Sequence, residues 1–202
     1  MKKDQKQSEL QVHLVLLEQN KRNFMNKING HLIIVEGPDH AGKTKLCNYL
    51  IETYKFNYWH HGVYQDVQQA HSECLDTVLD NIKNYNSNWI IDRLHVSEEV
   101  YGNIFRNKSA YDYIKCNQNI QKRFAKYQLI FCLPPKDIVL EGFEKRRALG
   151  NEHFDTVEKV YDAYNNIYND NLKTNQLGFI YKHDFTIDPD YNKLKAFLEG
   201  SK

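Results

Sequence analysis

Nothing among the 202 residues offers an apolar run long enough to cross a bilayer, and no secretory core precedes a cleavage signal. The chain is therefore expected to be cytoplasmic, with no membrane partner. Charge of one sign is also lacking: 27 basic against 26 acidic side chains leave +1, so the overall balance calls for neither nucleic acid nor a membrane surface. The four cysteines, Cys47, Cys74, Cys116 and Cys132, show no C-x-x-C spacing, which excludes a zinc knuckle and a dithiol redox motif. They read as reduced thiols. There is no H-E-x-x-H, and the pair His60-His61 has no carboxylate at ligand spacing, so a structural or substrate-contacting role fits it better than a metal. Internal repeats and low-complexity linkers are absent too. Residues 1–29 differ from the rest, being rich in Lys, Gln and Asn around Val12 and Leu14–Leu17. They read as a frayed or helical extension on the surface of a single domain spanning residues 30–202.

What the chain does have is one phosphate-binding sentence. Gly37-Pro38-Asp39-His40-Ala41-Gly42-Lys43-Thr44 follows the β-branched run Leu32-Ile33-Ile34-Val35 and precedes a helical pattern beginning Lys45-Leu46-Cys47. In G-x-x-x-x-G-K-T the glycines let backbone N–H groups converge on an anion. The lysine reaches the β/γ-phosphates, and the threonine hydroxyl serves the magnesium that travels with them. A helix opening at Lys43 adds its positive end. The pattern predicts a site for ATP and Mg²⁺ built from Gly37, Asp39, His40, Ala41, Gly42, Lys43, Thr44 and Lys45.

From residue 31 onward strand-like and helical patterns alternate, the mark of an α/β fold with a parallel sheet covered on both faces. Strands are expected at 31–36, 56–60, 89–92, 129–133 and 179–182. Helices are expected at 43–54, 67–85, 97–105, 111–126, 136–149, 154–174 and 191–199. Ligands of such sheets bind at the carboxyl ends of the strands. After the third strand comes Asp92-Arg93, where the aspartate fits either a magnesium-supporting acid or a helix cap, and Ser97 is a second cap candidate. An arginine at that strand exit calls for an anionic partner. Lys145-Arg146-Arg147, just before Gly150, reads as a solvated helix face or as a mobile lid; Arg123 is the next lid candidate.

Glu36-Gly37-Pro38-Asp39-x-Ala41-Gly42-Lys43-Thr44 resembles the P-loop of thymidylate kinases, which read E-G-x-D-G-x-G-K-T. The stretch from Asp92 resembles their D-R-x-x-x-S-x-x-A-Y-Q segment at Asp92, Arg93, Ser97 and Tyr101, and it is similar to that of phage-type thymidylate kinase-like proteins. The resemblance runs from His31 to about Tyr168. It implies a P-loop NTPase fold of the nucleoside monophosphate kinase kind, with a five-stranded parallel sheet and an arginine-bearing lid near 145–153. It further implies that Lys43 and Thr44 hold the donor phosphates and metal with Asp92 in support. Arg93 and Arg106 would grip an acceptor phosphate, Asp39 would take the sugar 3′-hydroxyl, and Arg146 or Arg147 would close on the moving phosphoryl group.

Two positions depart from that family. Where it carries R-E-P-G-G, this chain reads Tyr58-Trp59-His60-His61-Gly62-Val63-Tyr64, and its base-reading glutamine is Gly102 here. His61 and Tyr64 become candidates for contacting the acceptor, or for aromatic packing. Three functions follow as expectations. The first is transfer of the γ-phosphoryl of ATP to a deoxynucleoside monophosphate. The second is transfer to a hydroxyl of a deoxynucleoside or of a hydroxymethylated pyrimidine in DNA, with Asp39, Asp92 or Glu98 as base; only this one involves nucleic acid. The third is an ATP-binding switch without transfer. A homodimer is compatible with all three.

Overall fold

In the computed structural model, residues 30–62, 64–150, 156–198 and 200 are described. The extension 1–29, Val63 and the tip of the expected lid at 151–155 lie outside them. Five strands form one parallel sheet: β1 Leu32–Glu36, β2 Asn57–His60, β3 Trp89–Asp92, β4 Tyr127–Cys132 and β5 Ile180–His183. Their order is β2-β3-β1-β4-β5, so β1 sits centrally and the chain crosses from its left to its right after β3. That reversal opens a crevice beyond the carboxyl end of β1, where the glycine-rich loop emerges.

The helices are α1 Lys43–Tyr54, α2 Val67–Tyr85, α3 His95–Arg106, α4 Tyr113–Arg123, α5 Lys136–Ala148, α6 Val157–Thr174 and α7 Asn192–Leu198. All five residues of β1 are buried, as a continuous Leu-Ile-Ile-Val run covered on both faces requires. Edge strand β2 is largely exposed, which suits its mixed Asn-Tyr-Trp-His sequence. The core joins β1, β3 and β4 to Leu46 and Leu50 of α1, Val78 of α2, Val139 and Phe143 of α5 and Tyr164 of α6.

Most expected elements stand where the periodicity puts them, and β3, α1 and α2 match to the residue. The differences have local causes. Helix α4 starts at Tyr113 rather than 111 because Asp112 accepts the N–H groups of Ile114 and Lys115. It ends at Arg123 because Phe124 turns extended and buries its ring. Strand β4 starts two residues early, since Leu32 N–H already bonds Lys126 O at 2.9 Å and the Tyr127 hydroxyl donates to Asn117 at 2.8 Å. Strand β5 shifts by one, leaving Phe179 81 % exposed and Ile180 buried in register with Leu129.

The passage from β1 into the loop is sterically tight. Gly37 has φ +145°, and a Cβ there would lie 2.5 Å from the carbonyl oxygen of Cys132 at the end of β4. Gly37→Ala is expected to lower the unfolding free energy by about 2 kcal/mol or more. Gly62→Ala, where an added Cβ meets open space, should leave it within roughly 0.5 kcal/mol. Urea midpoints of the two variants check this; equal midpoints would contradict the close approach.

Candidate active site

The loop from Gly37 to Gly42 runs from the buried strand β1 into α1, whose N-cap Gly42 supplies no side chain to the first helical N–H groups. Those donors are therefore available to an anion. Lys43 is buried and folds back across its own loop, its ammonium donating to Pro38 O at 2.7 Å and standing 3.9 Å from Asp39. Burial, with the Arg93 charge adding to it, pushes the lysine pKa down. An arriving phosphate would relieve the strain of both.

The cleft over the loop encloses about 380 Å³. Gly42, Lys43, Thr44 and Lys45 form its floor, with Asp39 and His40 beside them. His60 from β2, Asp92 and Arg93 from β3, and Arg146 from α5 close the walls. Ala41 is buried beneath the loop, and Gly37 is buried at its root.

Asp92 is no helix cap; the N-cap position of α3 is Leu94. Its carboxylate is 2 % exposed, and its Oδ2 accepts from the Tyr58 hydroxyl at 2.9 Å and lies 3.2 Å from His60 Nδ1. Oδ1 is buried with no hydrogen-bond partner. A buried acceptor left open, on a residue that lines the same cleft as Thr44, fits a site where Asp92 and Thr44 would hold a magnesium ion. Among the described residues no group of three or more His, Cys, Asp or Glu could hold a metal ion by itself.

Arg93 adopts a left-handed backbone, φ +70°, which costs roughly 1 kcal/mol outside glycine. That turn sends its guanidinium to Asp39 in an ion pair and lays it 4.9 Å over the ring of Tyr101. Tyr101 also donates to Asp39 at 3.2 Å. Burial raises the Asp39 pKa, but Arg93 and Lys43 outweigh it and the net shift is downward. Asp39 is thus a fixed anion between two cations.

Ser97 and Arg106 lie elsewhere. Ser97 is buried beneath the cleft wall, bonded to Glu36 at 2.5 Å and to the Tyr164 hydroxyl at 2.6 Å. Arg106 grips Glu98 at 2.5 and 2.6 Å, and Glu98 also accepts the Ala110 N–H at 2.7 Å. That bridge passes over Gly102, where a Cβ would meet Glu98 Oε1 at 2.8 Å. Gly102 is therefore the gap that lets Arg106 and Glu98 meet, which takes Glu98 out of consideration as a base. His61 is buried, with both ring nitrogens unpartnered, 4.5 Å from the His71 ring and 5.5 Å from Tyr64. Burial pushes its pKa down to about 4 and that of His71 to about 3, so both imidazoles are neutral.

The two candidate lid arginines are placed differently. Helix α5 approaches the loop at Gly142, where a Cβ would lie 3.1 Å from His40, and Phe143 meets the His40 ring edge-on at 6.0 Å. Arg146, four residues after Gly142, shares that face and reaches the cleft. Arg147 is not among the residues that line the cleft and pairs with Glu144 at 3.8 Å. Arg123 pairs with Asp76, away from the cleft.

Sequence reasoning gave His60 only a structural or substrate-contacting role and passed over Tyr58 and Glu36 as site residues. The first two carried a usable signal: alternation along β2 puts residues 58 and 60 on one face, and the register sets His60 beside Asp92. Glu36 carried none beyond its place before the loop.

No protein-family model matches the chain, and no curated protein matches it in sequence. Solved structures do. The YorR protein from Bacillus subtilis, in complex with phosphorylated GDP, is 17% identical with a TM-score of 0.58, covering 85% of this chain and 99% of its own. Deoxyadenosine kinase from M. mycoides with bound dATP is 17% identical with a TM-score of 0.45, covering 83% of this chain and 96% of its own. With the sheet order and the loop after β1, the likeness to YorR gives the chain the P-loop NTPase fold. No described helix is long and apolar enough to cross a membrane.

Tyr58→Phe removes one of the two groups that hold Asp92 Oδ2 and orient Oδ1. It is expected to lower Mg²⁺ affinity of the ATP-bound chain about tenfold. ATP affinity in chelator should stay unchanged. Calorimetric Mg²⁺ titration checks this, and an unchanged metal affinity would refute the role given to Asp92.

Proposed function

We propose that the chain is an ATP-dependent kinase that transfers the γ-phosphoryl group to a deoxynucleoside monophosphate. The observation that carries this reading is Arg93, a partly buried guanidinium that lines the phosphate-loop cleft at a strand exit and is ion-paired with the loop's own Asp39. Four cationic side chains, Lys43, Lys45, Arg93 and Arg146, line the cleft against two carboxylates, Asp39 and Asp92. That surplus suits two phosphate-bearing ligands better than one. A phosphate acceptor is already ionised near neutral pH and needs no base. YorR, a protein of this fold, holds phosphorylated GDP, which adds weight to a nucleotide acceptor.

In this reading the loop N–H groups and Lys43 bind the donor phosphates, while Thr44 and Asp92 hold the Mg²⁺ that offsets their charge. Arg93 leaves Asp39 for the acceptor phosphate, and freed Asp39 turns to a sugar hydroxyl. Arg146 neutralises the phosphoryl oxygens as they move.

One observation favours transfer to a hydroxyl instead. Arg106, expected on the acceptor phosphate, is taken by Glu98, and the end of β2 brings imidazoles and a phenol where an arginine was expected. Asp39 would then be the base. A transfer assay with labelled ATP separates the readings by offering each deoxynucleoside monophosphate, each deoxynucleoside and DNA containing hydroxymethyluracil. Label on monophosphates supports the first reading, label on nucleosides or DNA replaces it with the second, and label on none leaves only ATP binding.

Lys43→Ala is expected to cut turnover by about 10²–10³-fold or more with the fold retained, since a preorganised charge on the transferring oxygens is lost. Wild-type turnover in that variant would sink the loop's catalytic role. The lid arginines should part company. Arg146→Ala is expected to lower kcat about 10²-fold with little change in either KM. Arg147→Ala should stay within about threefold of wild type, the effect of an exposed ion pair. Steady-state kinetics of the two variants would overturn this assignment by showing the reverse order.

A further inference from the structure

Helix α3 begins without a cap of its own: its N-cap residue is Leu94, which has no side chain able to accept a hydrogen bond. Glu36, the last residue of β1 and wholly buried, does the capping from 58 residues away. Its Oε1 accepts the N–H groups of Leu94 at 2.9 Å and Val96 at 3.2 Å. Its Oε2 accepts the Ser97 N–H at 3.1 Å and the Ser97 hydroxyl at 2.5 Å. The Ser97 hydroxyl in turn meets Tyr164 of α6. A carboxylate at a helix N-terminus is favoured by the helix dipole, and four donors on two oxygens satisfy it without water.

What lies immediately before those bonded amides is Arg93. Its own N–H bonds Val35 O at 2.9 Å, so the left-handed residue is pinned on one side by Val35 and on the other by Glu36. Both anchors are the last two residues before the phosphate loop. We propose that Glu36 is a positioning residue that fixes the Arg93 guanidinium relative to the phosphate loop, by holding the Arg93–Leu94 reversal to the end of β1. Through it, the loop that binds the donor and the arginine that meets the acceptor move as one body.

The inference rests on the phosphotransfer reading for its kinetic consequence, but its geometric content is tested separately. Glu36→Gln keeps shape, retains one acceptor for Leu94 and Val96, and sets an amide N–H₂ against the Ser97 N–H. In amide hydrogen exchange this variant is expected to speed exchange at 94–97 at least tenfold, with 43–50 in α1 unchanged. Unchanged exchange at 94–97 overturns the proposal whatever the protein's activity.

The kinetic arm is a double-mutant cycle with Arg93→Ala. Glu36→Gln alone is expected to raise the acceptor KM and lower kcat, together about 30-fold in kcat/KM, with the KM for ATP within twofold. In the Arg93→Ala background it should cost less than threefold, because the group it positions is already gone. Additive losses, or equal losses for ATP and acceptor, would mean that Glu36 only holds up the fold. Ser97→Ala, which keeps the three backbone bonds, guards against a Glu36 variant that fails to fold. It should leave the acceptor KM within about threefold, and a collapse of that KM with normal exchange at 94–97 would also overturn the assignment. Should no acceptor be labelled by the wild-type chain, the function reading fails and the exchange arm still decides the role of Glu36.

Discussion

A buried carboxylate with four hydrogen-bond donors links the phosphate loop to the opposite wall of the cleft. Glu36 lies at the end of the central strand, where burial alone pushes its pKa up and the donors from Ser97 and Leu94 pull back against that shift. Taking such a group out of water costs several kcal/mol, so its partners must be complete. Here they are, and they come from a helix that has no other cap. The start of α3, two residues ahead of the periodic pattern, and the reversal at Arg93–Leu94 that precedes it are tied to this contact.

Around it, the cleft is built from charges held out of their preferred solvent. Lys43 is buried and Arg93 partly buried beside it, the Arg93 charge adds to burial in lowering the lysine pKa, and Asp39 stands between them as an internal counter-ion. Such a trio is stable when empty and still receptive, because a phosphate oxygen can replace the carboxylate without leaving a cation unpaired. The opposing wall does related work at Asp92: one oxygen is held by Tyr58 and His60, and the other is left open. Carboxylates are commonly oriented in this way by neighbours that hold one oxygen and leave the other available to a ligand.

The surroundings of Arg106 and of the end of β2 depart from the family that the sequence resembles. Arg106 is locked to Glu98 over the gap at Gly102, and behind the end of β2 lies a layer of neutral imidazoles, His61 and His71, beside Tyr64 and Tyr111.

How much could be read in advance follows from the range of each interaction. The loop, its flanking strand and helix, and the exact extents of β3, α1 and α2 were legible because periodicity and backbone permissiveness are local properties of neighbouring residues. The same holds for Asp92-Arg93 at a strand exit, where a charge after a buried run needs a partner whatever the partner is. The choice of Arg146 over Arg147 was not legible, because it depends on which side of α5 meets the loop at Gly142. The capture of Arg106 by Glu98, the burial of Ser97 and the capping role of Glu36 were hidden for the same reason. Sequence alone determined that this chain has a parallel α/β sheet with a phosphate loop and cations at its strand ends. Only the tertiary structure decided which of those cations face the cleft, because burial and pairing are settled by elements some sixty residues apart that meet only when the sheet closes.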